Sequence, residues 1–143
     1  MAEVMAGFVC GFGLSLIATP AAAIAIVRAR VTSPLAAQMV PEGTSLVAAS
    51  LVIHMFAFLT LTAIGLLLGM LLYGVESERP AGGLGSPNWL FTAMILGITA
   101  IGFGPPLALA SRWRRPLLFS ALLFLVCFGW AMPYLSLLGP ERG

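Results

Sequence analysis

Few side chains in this sequence are equipped for chemistry. His54 is the only histidine, and Cys10 and Cys127 are the only cysteines. The acids are Glu3, Glu42, Glu76, Glu78 and Glu141; the bases are Arg28, Arg30, Arg79, Arg112, Arg114, Arg115 and Arg142. His54 lies within Leu46–Tyr73, a run with no charged residue. A neutral imidazole in such a run suits two ligand roles: an axial ligand to haem, or a hydrogen-bonding partner to a quinone. Bis-histidine haem needs a second His, so the other ligand would have to be a Met such as Met94 or Met132, a second copy of the chain, or another subunit. The plainer expectation is a neutral His hydrogen-bonded across helices, which needs one partner only, or one close enough to the inner interface to reach water.

The remaining groups form no recognisable machinery. The two cysteines sit in apolar runs far apart in sequence without a C-x-x-C, and are expected to be small buried hydrophobes rather than a redox pair or zinc ligands. No carboxylate or arginine falls inside an apolar run, which leaves out the usual parts of a proton relay, a cation pump, a paired-carboxylate site or a Ser/His/Asp site. The Gly82–Gly85 stretch, GGLG, lacks the Lys and flanking strand of a phosphate loop. An enzyme is therefore not expected, and neither is a cofactor, apart from the haem or quinone weighed for His54. No basic face with interleaved aromatics exists to bind nucleic acid.

These residues must be positioned by elements that belong in lipid. The 143 residues are 60% hydrophobic and 8% charged, where a soluble domain carries roughly 25% charged residues. The predicted fold class is all-α: a polytopic membrane protein whose four transmembrane helices form an up-down bundle of two hairpins, within one domain over 1–143. The expected helices are 4–27, 45–73, 89–110 and 116–138. Each is long enough for a hydrocarbon core that takes about 20 residues. The second, with Thr44 or Ser45 as its N-cap, is longer than the core and must tilt or project into the headgroups. The first is preceded only by Glu3 and followed by Arg28 and Arg30, the reverse of a secretory signal, so it reads as a retained helix.

Small residues mark expected contact faces. Gly7, Gly11, Ser15, Ala18 and Ala22 recur every three or four residues along the first run. Ser50, His54, Gly65 and Gly69 share one side of the second. Helices associate in lipid through such close-approach stripes. Gly7, Gly11, Ser15, Ser50, Gly65 and Gly69 are thus the predicted packing residues. Pro20 predicts a kink in the first helix, Pro105 and Pro106 a bent or partly unwound inner third of the third, and Pro133 a bend in the fourth. Between helices, Thr32 or Ser33 could cap a short turn from Pro34, with Leu35, Met39 and Val40 on the membrane surface, and the Gly74–Asn88 stretch reads as a Gly/Pro/Ser-rich loop.

Arginine placement predicts orientation. Arg28 and Arg30 lie in the first connection and Arg112, Arg114 and Arg115 in the third, against Arg79 in the second and Arg142 in the tail. Short Arg-rich loops stay cytoplasmic, so loops 28–44 and 111–115 are placed inside and both termini outside. Tyr73, Trp89, Trp130 and Tyr134 then gather at the outer interface and Trp113 at the inner one. The two halves share a weak pattern of proline, Arg-x-Arg, proline (Pro20, Arg28–Arg30, Pro34; Pro105, Arg112–Arg114, Pro116), consistent with tandem hairpins. The chain lacks the first-helix carboxylate of small four-helix multidrug transporters and the C-x-x-C of four-helix thiol oxidoreductases. The expected role is an accessory or structural subunit of a larger complex, in a cell inner membrane, with the lipid bilayer and other membrane subunits or itself as partners. The alternatives are a homo-oligomeric small-solute transporter or channel, and a haem- or quinone-binding membrane anchor using His54.

Overall fold

A computed structural model describes residues 1–31, 34–39, 43–75, 88–109 and 114–138. The described residues are helical with short turns: α1 (Ala2–Ala29), a short α2 (Pro34–Met39), α3 (Leu46–Val75), α4 (Trp89–Leu109), α5 (Arg114–Phe124), a π-helical segment (Leu125–Ala131) and α6 (Met132–Leu137). The last three run on as one span, Arg114–Leu137, and with α1, α3 and α4 make four helices long and apolar enough to cross a membrane. α1 at both ends and the fourth span at its start run past the apolar stretches that announce them. A hydropathy reading stops at Glu3, Arg28 or Arg115, whereas the helix continues through these charges. An acid in the first turn of α1 and a base in its last also suit the helix dipole. The expected cap at Thr32 or Ser33, the membrane-surface side chains of Leu35, Met39 and Val40, most of the second connection, Trp113 and the tail lie outside the described residues.

Capping follows local chemistry. Ser45 Oγ accepts the N–H of Ala48 at the start of α3, and Asn88 Oδ1 accepts the N–H of Phe91 at the start of α4. Hydroxyls inside the spans turn back on their own helix: Thr60 donates to the carbonyl of Phe56, Thr62 to that of Phe58, Thr99 to that of Ile95 and Ser136 to that of Pro133. Thr60, Thr62 and Thr99 thus bond within their own helix, as hydrocarbon demands.

The register of contacts runs in opposite senses along two helix pairs. Against rising residues of α1 lie falling residues of α3: Gly69 beside Glu3, Gly65 beside Gly7, Leu61 and Thr62 beside Gly11, His54 beside Thr19. Likewise Thr92 and Ile95 of α4 meet Gly129, and Phe103 meets Phe124. The pairs join where α1 packs on the π-helical segment and α6. The core there comprises Ala6, Cys10, Leu14, Leu68, Leu72, Phe91, Ile95, Phe128 and Met132. It fills only the half of the bundle that holds the start of α1. At the other half α5 has no buried residue, and α4 has none beyond Thr99. Only 33% of the apolar window of α1 and 17% of those of α3 and α4 is buried within the chain, so lipid or another helix must cover the rest.

Two of the prolines sit inside unbroken helix. α4 stays helical through Pro105 and Pro106 to Leu109, so the inner third does not unwind. Proline's fixed φ fits a helix, and the loss is confined to two N–H donors near the helix end. In the fourth span the irregularity precedes Pro133. The N–H of Met132 bonds the carbonyl of Cys127, five residues back, which is π rather than α spacing. The wider turn makes room for the proline ring against the carbonyl of Gly129. Pro133 has no N–H for that carbonyl; instead the Thr92 hydroxyl donates to it from α4 at 2.6 Å.

Candidate functional site

The sequence stripes on α1 and α3 face each other as a glycine seam. A Cβ added at Gly7 would lie under 3.0 Å from the carbonyl oxygen of Gly65, and one at Gly65 equally close to that of Gly7. At Gly11 it would meet Leu61 backbone, and at Gly69 that of Glu3. Real Cβ atoms do not approach so closely, so these four positions admit only glycine while the helices keep this separation. Glu3 is itself buried in the first turn of α1, its carboxylate 2.9 Å from the amino group of Met1.

Further along the seam, packing gives way to a polar relay. Ser15 is fully buried, and its hydroxyl donates to the carbonyl of Phe12. Thr19 Oγ1 donates to the carbonyl of Ser15 at 2.7 Å and lies 3.0 Å from His54 Nδ1 on α3. A threonine hydroxyl has one hydrogen. With that hydrogen on the Ser15 carbonyl, Thr19 presents a lone pair to the imidazole, and Nδ1 must carry the proton. Nε2 is then the unprotonated nitrogen. It has no hydrogen-bond partner among the described residues, and the half-buried ring leans against Phe58, which packs edge-on to Phe12. Ser50 stands apart from this relay, half-buried, with its hydroxyl on the carbonyl of Val47.

Two further arrangements are products of the fold. Cys10 and Cys127, 117 residues apart, come together: the Cys127 thiol donates to the carbonyl oxygen of Cys10 at 3.5 Å. Cys10 is buried, as expected of a small hydrophobe, whereas Cys127 is half-exposed; both thiols are free. No sequence signal links them. On α4, Ala93, Gly97, Ala100, Gly104 and Ala108 recur every three or four residues on a face turned away from the rest of the chain. Nothing lies within 4 Å of a Cβ built at Gly97 or Gly104. The stripe is legible in the sequence as a spacing of small residues. Among the described residues no group of three His, Cys, Asp or Glu could hold a metal ion. A haem or quinone would find one nitrogen, His54 Nε2. No protein family, curated protein or solved structure matches this chain.

Proposed function

We propose that this protein is a small integral membrane subunit that packs against another membrane helix through the small-residue face of α4. The observation that carries the reading is the contrast between two sets of glycines. Gly7, Gly11, Gly65 and Gly69 are each in backbone contact within the chain, while Gly97 and Gly104 face open space, as Gly13, Gly74 and Gly102 also do, but on one stripe with Ala93, Ala100 and Ala108. A helical glycine costs roughly 1 kcal/mol relative to alanine. In lipid, close approach of a second helix is the usual return on that cost. The partner is an apolar helix of another subunit or of a second copy, in a cell inner membrane with the arginine-bearing end of the bundle in the cytoplasm. The up-down arrangement of two hairpins, with no catalysis of its own, belongs to the same reading.

The test replaces glycines on the two faces. Gly97→Leu with Gly104→Leu should leave the thermal unfolding of the detergent-solubilised chain within a few degrees of the wild type, yet abolish co-purification of its partner or its self-association. Gly7→Leu should prevent folding. A wild-type chain that runs as a lone monomer in native detergent extracts would refute the reading.

A second reading rests on the lone pair left on His54 Nε2, which suits a haem iron or a quinol hydroxyl. A visible absorption spectrum of the protein purified with its neighbours decides it. A Soret band lost in His54→Ala supports haem ligation, and its absence, or its persistence in that variant, removes it. The transporter or channel alternative has α4, with Pro105 and Pro106 inside the helix, lining the path of a homo-oligomer; liposome flux by the purified protein, lost on replacing the two prolines, would favour it.

A further inference from the structure

The two cysteines meet at the joint between the helix pairs. Cys10 lies between Gly7 and Gly11, whose backbones are pressed against α3, so its position on α1 is rigid. Cys127 lies in the π-helical segment, where its carbonyl accepts the N–H of Met132. Single π turns are energetically poorer than α turns and recur at functional sites. Cys127 Sγ lies 3.5 Å from the backbone carbonyl of Cys10, which makes the two residues neighbours across the joint; a disulfide between them would set their Cβ atoms about 3.5–4.5 Å apart.

We propose that Cys10 and Cys127 form a reversible intramolecular disulfide, and that its oxidant is a quinone dissolved in the bilayer. The placement selects that chemical class. Cys10 is eight residues into α1, about 12 Å along its axis at 1.5 Å per residue, inside an apolar span. Cys10 is buried and Cys127 is half-exposed. A charged, water-soluble disulfide would have to enter hydrocarbon to reach them. A quinone partitions there and takes up what two thiols release. Each thiol gives up one proton and one electron, the Sγ–Sγ bond forms, and the quinone gains both protons and both electrons to leave as the hydroquinone. The bond ties α1 to the fourth span at the place where the two helix pairs join, so redox state sets how firmly they are held together. The inference stands independently of whether α4 docks a partner.

The test uses the full chain reconstituted in phosphatidylcholine vesicles, reduced, then treated with decylubiquinone. The expected result is a mass lower by two hydrogens, a non-reduced peptide map joining the Cys10 and Cys127 peptides, and an equimolar loss of quinone absorbance. Oxidised glutathione added outside the vesicles should do none of this. Cys127→Ala and Cys10→Ala should each abolish quinone consumption, and a lipid-soluble phosphine should return the wild type to the reduced mass. Quinone left oxidised, a disulfide formed only between chains, or consumption that persists in either alanine variant would overturn the proposal. The wild-type reaction decides the matter even if a variant folds poorly.

Discussion

At the scale of single residues, His54 shows what a sequence can and cannot carry. Its isolation in an uncharged run marked it at once, and the spacing placed it on the stripe with Gly65 and Gly69. Its partner was harder to read. Thr19 follows Ser15 by one helical turn on the same face of α1, but a threonine in a span usually bonds its own backbone, as Thr60, Thr62 and Thr99 do. Thr19 bonds its own backbone and also reaches the imidazole. The relay has a spectroscopic signature. Nitrogen-15 NMR of His54 should show Nδ1 protonated and Nε2 bare, and Thr19→Val should shift the tautomer balance. Because the imidazole can find other donors or acceptors, that variant should cost only about 0.6 kcal/mol and at most about 1.7 kcal/mol. Spectra showing Nε2 protonated in the wild type would break the hydrogen-bond order assigned here.

At the scale of elements, the four spans were readable because each is an uninterrupted apolar stretch. What escaped was how each proline is accommodated. Proline removes an N–H wherever it stands, but the response depends on what can reach the freed carbonyl. At Pro133 the neighbouring helix supplies Thr92, and the preceding turn widens to π spacing. The identity of that neighbour is tertiary information. The pairing predicts a coupling. Thr92→Val alone should destabilise the chain by about 0.6 kcal/mol and at most about 1.7 kcal/mol, the range for such bonds in a membrane. Pro133→Ala restores an N–H four residues beyond Gly129, so the valine substitution should cost less in that background. A double-mutant cycle of unfolding in mixed micelles measures the difference. Strict additivity would show that Thr92 and Pro133 do not share the Gly129 carbonyl.

At the scale of the whole molecule, one end of the bundle is tightly cored and the other is open. Arg28 and Arg30 close α1, and Arg114 and Arg115 open α5, at the open end. Tyr73, Trp89, Trp130 and Tyr134 are exposed at the cored end. Both patterns were legible because interfacial residues are chosen by depth, not by neighbours. The uneven core was not legible, since the spans are apolar on every side and periodicity alone does not say which side meets protein. The arginine bias predicts that a periplasm-dependent reporter fused after Gly143 is active and a cytoplasm-dependent one is silent; the opposite pattern would invert the orientation.

The glycine seam between α1 and α3 also imposes a timetable during synthesis. The glycine face of α1 leaves the ribosome with nothing to lie against until α3 has followed it. The stretch from Ala29 to Val75 takes about 2–9 s at the usual pace of about 5–20 residues per second. Through that interval α1 depends on lipid or the insertion machinery to shield its buried Glu3 and Ser15. Alterations at Gly7 or Gly65 therefore strike while the chain is still being made, and their mark is low abundance of the protein rather than an accumulated, misassembled product.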